Sequence, residues 1–166
     1  MGIPHRPRAS LIASFATNKL RFCENMRMSD PFDLQRFLDA QQPVYATVCA
    51  ELRAGNKRSH WMWFVFPQLQ GLGHSAIARK FAISDAQEAA AYLQHPVLGG
   101  RLVECSRLVL DVDGRSIEEI FGYPDYLKFH SCMTLFAQTD PADEVFNACL
   151  RKYFGGQADP ETLARL

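Results

Sequence analysis

The sequence has no surplus of charge of either sign, because 18 basic side chains balance 18 acidic ones among its 166 residues. Binding of nucleic acid by bulk electrostatics needs a basic surface, so we expect no general nucleic-acid partner. The sequence also lacks an apolar run of the roughly 20 residues that cross a bilayer, and we expect no membrane partner. A hydrophobic content of 48% then fits one soluble globular domain.

Cysteine pairs and metal motifs are missing as well. The five cysteines are odd in number and no C-x-x-C spacing occurs, which argues against a disulfide framework and a structural zinc site. Without an H-E-x-x-H motif we expect no metal and no cofactor, and without a G-x-S-x-G elbow a Ser-His-Asp hydrolase is not supported. Four of the cysteines lie in apolar helical patterns, where a free thiol behaves as a small hydrophobe, and we predict a cytoplasmic protein.

The charge balance joins two unlike parts. Residues 1–29 carry five basic side chains and one acidic side chain, so the rest of the chain is net acidic. This segment has no helical or strand period, which favours a basic disordered tail or a start site placed upstream of a true start at Met26 or Met28. Both interpretations predict that residues 1–28 can be removed without loss of the fold. An organellar transit peptide is the remaining alternative.

Helix signals recur along residues 30–166. Asp-Pro pairs predict an N-cap followed by proline at the first helical position, and serine capping boxes predict further starts. Apolar residues between Leu98 and Val112 repeat at three and four positions, as in a helix with one buried face. We predict a mainly α, single compact domain of about seven to eight helices with a disordered N-terminal tail. The predicted starts are Asp30-Pro31, Pro43, Ser75, Ser84, His95-Pro96, Ser116, Pro124-Asp125, Asp140-Pro141 and Asp159-Pro160, and the predicted ends include Gly55, Gly122 and Gly155-Gly156.

The segment from Asn56 to Ser75 departs from this regularity. It contains both tryptophans, two phenylalanines and two histidines, and its run of bulky side chains leaves helix and strand equally open. A Lys57-Arg58 pair precedes the aromatic residues. Gly71 and Gly73 follow them, where a backbone without side chains could approach an anion closely.

Hydrogen-bond donors beside a wall of aromatic rings indicate a small-molecule site. Lys57 and Arg58 are predicted to bind an anionic group of the ligand. Trp61 and Trp63 would stack on a base or enclose it, and His60 would donate a hydrogen bond or a proton. The predicted ligand-binding residues are Lys57, Arg58, Ser59, Trp61, Trp63, Gln68, Gly71, Gly73, Lys128 and His130.

A different class of function is left open by the same residues. The alternative is a non-enzymatic protein-interaction domain in which the aromatic segment is core. A Lys-Arg pair after a helix end is typical of a solvated turn, and Asp125 with Lys128 three residues later fits a simple surface ion pair. The sequence identifies no protein partner.

Four blocks of sequence stand out: Lys57–Gly73, His95–Leu102, Ile120–Gly122 and Lys128–Phe136. Together they resemble the bacterial domain-of-unknown-function 1810 family, which some genome records label calpastatin-like. The resemblance spans about residues 32 to 166 and implies a mainly helical domain, without a settled activity. In that family we expect Arg and Ser more often where this chain has His130 and Cys132, so anion binding here could depend on pH.

The order of these blocks is also similar, more remotely, to the NADAR family of helical proteins tied to NAD and ADP-ribose metabolism. The stretch Ser59-His60-Trp61-Met62-Trp63 would stand for the first NADAR block, but the glutamate of that block is absent. The resemblance implies an ADP-ribose-related ligand and hydrolysis of an N-glycosidic bond, which needs a carboxylate beside the oxocarbenium-like transition state. The candidate catalytic residues are His60, Asp125 and Glu104.

Overall fold

The computed structural model describes residues 30–166, and the predicted N-terminal tail lies outside the described residues. Leu34–Leu166 form one compact unit, while residues 30–33 belong to a separate N-terminal unit. In that unit the backbone N–H of Asp33 donates to the carbonyl of Asp30 at 3.3 Å.

Residues 30–166 form ten α-helices and contain no β-strand, which confirms the mainly α fold. Four of the ten have only four or five residues. Within these residues, none of the helices combines the length and apolar content that a membrane crossing requires. The helices are α1 Gln35–Gln41, α2 Tyr45–Arg53, α3 Met62–Val65, α4 Ala76–Lys80, α5 Ala86–Gln94, α6 Leu98–Leu110, α7 Ile117–Phe121, α8 Asp125–Thr139, α9 Glu144–Phe154 and α10 Pro160–Leu163.

Helix α8 lies at the centre of the compact unit. It packs against α5, α7, α9 and α10, and α6 packs against α2, α5 and α9. Residues 131–137 of α8 are all buried, as expected for a helix surrounded by other helices. The core therefore forms around the C-terminal two thirds of α8, and the first turn of this helix stays near the surface.

Glycine ends α2 as the sequence predicts. Gly55 has a φ of 61°, its N–H donates to the carbonyl of Leu52 at 2.9 Å, and the next N–H, of Asn56, donates to the carbonyl of Glu51 at 3.1 Å. This pair of bonds is a Schellman motif, which turns the chain sharply at the end of a helix. The chain then reaches α7, where the N–H of Lys57 donates to the carbonyl of Ile120 at 2.8 Å.

Two of the three Asp-Pro pairs do not start a helix, and these predictions are wrong. After Asp30-Pro31 the backbone of Asp33 has a positive φ of 52°, so α1 begins only at Gln35. Asp140 ends α8 instead of starting α9, since its N–H still donates to the carbonyl of Phe136 at 2.9 Å. Asp143 is the N-cap of α9, and its carboxylate accepts from the N–H of Val145.

The other helix starts lie at or close to their predicted places. Ser116 and Glu119 form a reciprocal capping box at the start of α7, and the Asp159 side chain caps α10 ahead of proline. Helix α5 starts one residue later than the predicted box, because Asp85 caps it and Ser84 instead donates its hydroxyl to Glu88.

The aromatic segment combines one helical turn with an extended stretch, which settles the choice left open by the sequence. The turn is α3, and the extended stretch forms one parallel bridge between Leu69 and Ile83. Phe66 is fully buried against the rings of Phe121 and Phe129, at centroid distances of 5.8 and 5.0 Å. Part of this segment, including Trp61, is therefore core, and Trp63 on α3 is half-buried at its edge.

Candidate functional site

Two lysines far apart in the sequence meet at one carboxylate. Nζ of Lys57, in the loop after α2, lies 2.7 Å from Oδ2 of Asp125. Nζ of Lys128, one turn along α8, lies 2.8 Å from Oδ1 of the same residue. The Schellman turn brings Lys57 to this position, and the first turn of α8 supplies the other two residues.

Each ammonium group also faces a tryptophan ring. Nζ of Lys57 is 5.2 Å from the ring centroid of Trp61, and Nζ of Lys128 is 4.5 Å from that of Trp63, both within cation–π range. Trp61 is buried, whereas Trp63 is half-buried. We refer to Lys57, Trp61, Trp63, Asp125 and Lys128 as the lysine–tryptophan patch.

The charges of the patch do not cancel. Two ammonium groups share one carboxylate, so the cluster carries a net charge of one positive unit. Partial burial raises the pKa of Asp125, but hydrogen bonds and charge from Lys128 and Lys57 outweigh it and hold this pKa below its usual value of 3.8. Among the described residues, Asp125 is the one acceptor found for either ammonium, and each ammonium has three N–H donors. The patch thus keeps one excess positive charge, on lysine side chains that are 7% exposed for Lys57 and 18% exposed for Lys128.

Glu51 fixes the loop that carries Lys57, and the sequence interpretation missed it. Its Oε2 accepts from the N–H of Arg58 at 2.9 Å, from the N–H of Ser59 at 3.1 Å and from the indole Nε1 of Trp61 at 2.9 Å. Its Oε1 accepts from the Ser59 hydroxyl. One signal in the sequence could have found it, namely an acidic residue on α2 shortly before a loop rich in backbone and side-chain donors.

These four donors keep Glu51 ionised. Burial acts to raise its pKa, but hydrogen bonds from the Ser59 hydroxyl, the Arg58 N–H, the Trp61 indole and the Ser59 N–H lower the pKa from 4.5 to about 2. Hydrogen bonds to the charged form are the dominant effect on the carboxylate.

The remaining residues around the lysine pair take different positions. The side chains of Arg58 and His60 are exposed, and Arg58 contributes its backbone N–H to Glu51. Glu104 lies on α6, where it accepts from the hydroxyl of Tyr45 at 2.5 Å and stands 4.0 Å from Arg53. The structure thus brings together Lys57, Asp125 and Lys128 and places Glu104 with α2 side chains.

The glycines after the aromatic segment serve close packing within the chain. A Cβ on Gly71, whose φ is 91°, would lie 3.3 Å from Nε of Arg165, and a Cβ on Gly73 would lie 2.6 Å from that of Ala78. Gln68 is half-buried, and its carbonyl accepts from the N–H of Ile83 at 3.0 Å. The space beside both glycines is therefore filled by the protein itself.

His130, like its neighbour Phe129, packs against Phe154 of α9. Its ring stacks on Phe154 with 4.0 Å between centroids and 6° between planes. Its Nε2 lies 2.7 Å from the carbonyl of Gln157, so Nε2 carries the proton. This histidine joins α8 to the loop after α9.

Two further features of residues 30–166 bear on ligand chemistry. No cluster of three or more His, Cys, Asp or Glu in this range could hold a metal ion. A surface groove of about 640 Å³ lies between the end of α6 and the start of α9, and Asp111, Asp140, Asp143 and Glu144 make its lining acidic. Its charge disfavours an anionic ligand, which leaves the lysine–tryptophan patch as the better candidate.

Comparisons with known proteins agree with this fold and supply no activity. A family model described as "Protein of unknown function (DUF1810)" matches residues 31–166. The crystal structure of the conserved hypothetical protein Rv1873 from Mycobacterium tuberculosis is similar, with 61% identity and a TM-score of 0.82 over 82% of this chain and 98% of that chain. No match is found among the curated proteins. The resemblance to the first family is confirmed, and the resemblance to the NADAR family stays a prediction.

Proposed function

Since the chain belongs to the DUF1810 family, whose function is unknown, we propose one from the geometry: the protein binds a phosphorylated or nucleotide-like small molecule at the lysine–tryptophan patch. The observation that carries the proposal is the convergence of Lys57 and Lys128 on Asp125. Two cations on one carboxylate leave a net positive charge at a partly buried place, where electrostatic attraction is less screened than in open solvent.

The neighbouring ring supports a ligand that carries a base. Trp63 is half-buried and lies beneath the ammonium of Lys128, so an anionic group and a flat ring system could be bound side by side. Base–aromatic stacking contributes about 1–3 kcal/mol per base. ADP-ribose combines two phosphates with an adenine base, and it is the ligand that we propose to test first.

Hydrolysis of an N-glycosidic bond is the catalytic form of this proposal. Asp125 is the acidic residue of the patch, and its lowered pKa keeps it ionised at neutral pH. An ionised carboxylate suits the stabilisation of an oxocarbenium-like transition state, and the proton for the leaving group would have to come from another residue. His60 is the candidate, because it is exposed and lies in the same loop as Lys57.

Tryptophan fluorescence titrated with ADP-ribose, ADP and inorganic phosphate tests the binding proposal. We expect saturable quenching in the wild type and an affinity about tenfold lower in Lys128→Ala, since a charge-assisted hydrogen bond is worth roughly 1.5–3 kcal/mol. Lys80→Ala is the matched control, because Lys80 also lies over an aromatic ring, that of Phe81, at 5.2 Å. Flat titrations with all three ligands would falsify the proposal.

The interaction-domain alternative has its own supporting observation. Trp61 and Phe66 are buried, so part of the aromatic segment is core, and Tyr123 beside the start of α8 is 81% exposed. An exposed aromatic residue of this kind is common at protein interfaces. Flat ligand titrations together with a loss of partner capture in Tyr123→Ala, at unchanged thermal stability, would favour this alternative.

A further inference from the structure

We propose that Glu51 is the positioning residue of the lysine–tryptophan patch: its carboxylate orders the loop of residues 56–61 and thereby holds Lys57, whose side chain is only 7% exposed, against Asp125 in the proposed site. The inference rests on the proposed function, because it takes the patch to be the ligand site. No hydrogen bond or ion pair joins the Glu51 side chain to Lys57 itself, so the carboxylate acts through the loop that follows that residue.

The hydrogen bonds of Glu51 enclose Lys57 in the sequence. The carbonyl of Glu51 accepts from Asn56, one residue before Lys57, and its carboxylate accepts from Arg58, one residue after it. Two further bonds to Ser59 and one to Trp61 extend this control along the loop. The carboxylate thus fixes the backbone after the lysine, while the main-chain carbonyl of the same residue, which any amino acid would supply, fixes the backbone before it.

The same carboxylate fixes the ring beside which Lys57 lies. The indole N–H of Trp61 donates to Oε2 of Glu51 at 2.9 Å, and the ring of Trp61 faces Nζ of Lys57 at 5.2 Å. Replacement of the carboxylate by an amide would place an N–H₂ group against some of these donors, because an amide has one acceptor oxygen where the carboxylate has two. With the amide oxygen in the place of Oε2, the Ser59 hydroxyl would turn from donor to acceptor, and all four bonds would lose the charge of their acceptor.

A double-mutant cycle separates positioning from general stability. We expect Glu51→Gln to bind ADP-ribose about tenfold more weakly than the wild type, and Lys57→Met to lose at least as much. If Glu51 acts through Lys57, the double variant will bind no more weakly than Lys57→Met alone, whereas independent effects would multiply. Glu144→Gln is the control and should bind as the wild type does, since Glu144 is 72% exposed and pairs with Arg151 on α9.

Amide-region NMR supplies a readout that needs no ligand. The indole N–H resonance of Trp61 should move upfield in Glu51→Gln, because its acceptor changes from a carboxylate to an amide, and the Trp63 indole resonance should move less. Should Glu51→Gln not fold, Glu51→Ala with added acetate replaces it. Acetate should restore the melting temperature and the ADP-ribose affinity of that variant, and chloride at equal ionic strength should not.

The outcomes distinguish the two proposals. A wild type that binds none of ADP-ribose, ADP and phosphate overturns the proposed function and this inference together. The inference is overturned, and the proposed function stays intact, if Glu51→Gln binds ADP-ribose as tightly as the wild type does although its Trp61 resonance has moved. Multiplicative losses in the double variant also overturn it, since Glu51 would then act independently of Lys57.

Discussion

Single residues show where polar groups are satisfied and where they are not. Ser106 on α6 is fully buried, and its hydroxyl is the one buried side-chain polar atom of residues 30–166 without a hydrogen-bond partner. Ser131 on α8 is also buried, but its hydroxyl bonds to the carbonyl of Leu127 at 3.1 Å and to Asp159 at 3.0 Å. An unpaired buried hydroxyl costs stability, and a paired one contributes to it.

The two serines should therefore respond in opposite directions to alanine. We expect Ser106→Ala to raise the free energy of unfolding by up to about 1 kcal/mol, because it removes an unpaired hydroxyl and alanine favours helix. We expect Ser131→Ala to lower it by about 1 kcal/mol, since Asp159 loses a partner. Urea unfolding of both variants beside the wild type measures the difference. A loss in Ser106→Ala as large as that in Ser131→Ala would contradict the assignment of Ser106 as unpaired.

Glu51 gives the molecule an acid-sensitive contribution to stability. Its pKa in the folded protein, about 2, is lower than the ordinary value of 4.5, so the stabilisation is present above pH 4.5 and is lost as the pH falls towards 2. Between pH 5 and pH 2 we expect the free energy of unfolding to fall by about 1–2 kcal/mol more in the wild type than in Glu51→Gln. This figure allows for solvent screening at the half-buried carboxylate. Denaturant unfolding at several pH values tests this, and parallel pH profiles for the two proteins would contradict it.

At the scale of elements, one glycine sets the approach of α5 to α6. Gly99 lies in the first turn of α6, where a Cβ would stand 1.9 Å from the carbonyl oxygen of Leu93, the second-last residue of α5. The neighbouring Gly100 has no atom within 4 Å of its would-be Cβ. The two glycines are neighbours in the same helix, but only at Gly99 would a Cβ collide with another helix.

This difference makes the pair a test of the packing. We expect Gly99→Ala to lower the free energy of unfolding by about 1–3 kcal/mol, since α5 and α6 must move apart to admit the methyl group. We expect Gly100→Ala to raise it by about 0.5–1 kcal/mol, because alanine has the higher helix propensity. Thermal unfolding of both variants measures the two effects. Equal melting temperatures for the variants would show that α6 does not approach α5 in this way.

Helix starts were predictable at some of the local capping signals. Ser116 and Asp159 are caps in the structure, as predicted. Asp140-Pro141 carries the same local signal, but α8 runs through to Thr139 and Asp140 becomes its last hydrogen-bonded residue. The apolar contacts that lengthen α8 come from distant helices, and local sequence does not contain them.

The sequence predicted charged residues of the candidate site but not Glu51, which orders the loop beside them. Lys57 and Lys128 were predicted as ligand-binding residues and Asp125 as a catalytic residue, and the structure brings these three side chains together. Glu51 was missed because it lies within a helix pattern, and its role depends on a turn at Gly55 whose path no periodicity specifies. His60 is exposed in the loop that carries Lys57, whereas Glu104 contacts Tyr45 and Arg53 of α2.

At the scale of the whole molecule, the thiols report on global unfolding. Cys49, Cys105, Cys132 and Cys149 are free and buried in the described chain. Burial raises the pKa of Cys105 and Cys149 to about 12, so little thiolate forms at neutral pH.

We therefore expect these four thiols to react with a thiol reagent only as fast as the core opens. Peptide mapping by mass spectrometry after timed labelling measures each site, and added urea should accelerate all four together. Labelling of one of these cysteines within seconds in native buffer would contradict its burial. Cys132 should be among the slowest, because it lies in the fully buried part of α8.

The meeting of Lys57 with Asp125 also has a consequence during protein synthesis. The Schellman turn and the bonds of Glu51 join residues close together in the chain, so they can form soon after α2 leaves the ribosome. The carboxylate that pairs with Lys57 is made much later, at the start of α8, and at about 5–20 residues per second the nascent chain spends several seconds without it. During that interval the lysine has no counter-charge from Asp125, so the lysine–tryptophan patch becomes complete only once most of the domain has been translated.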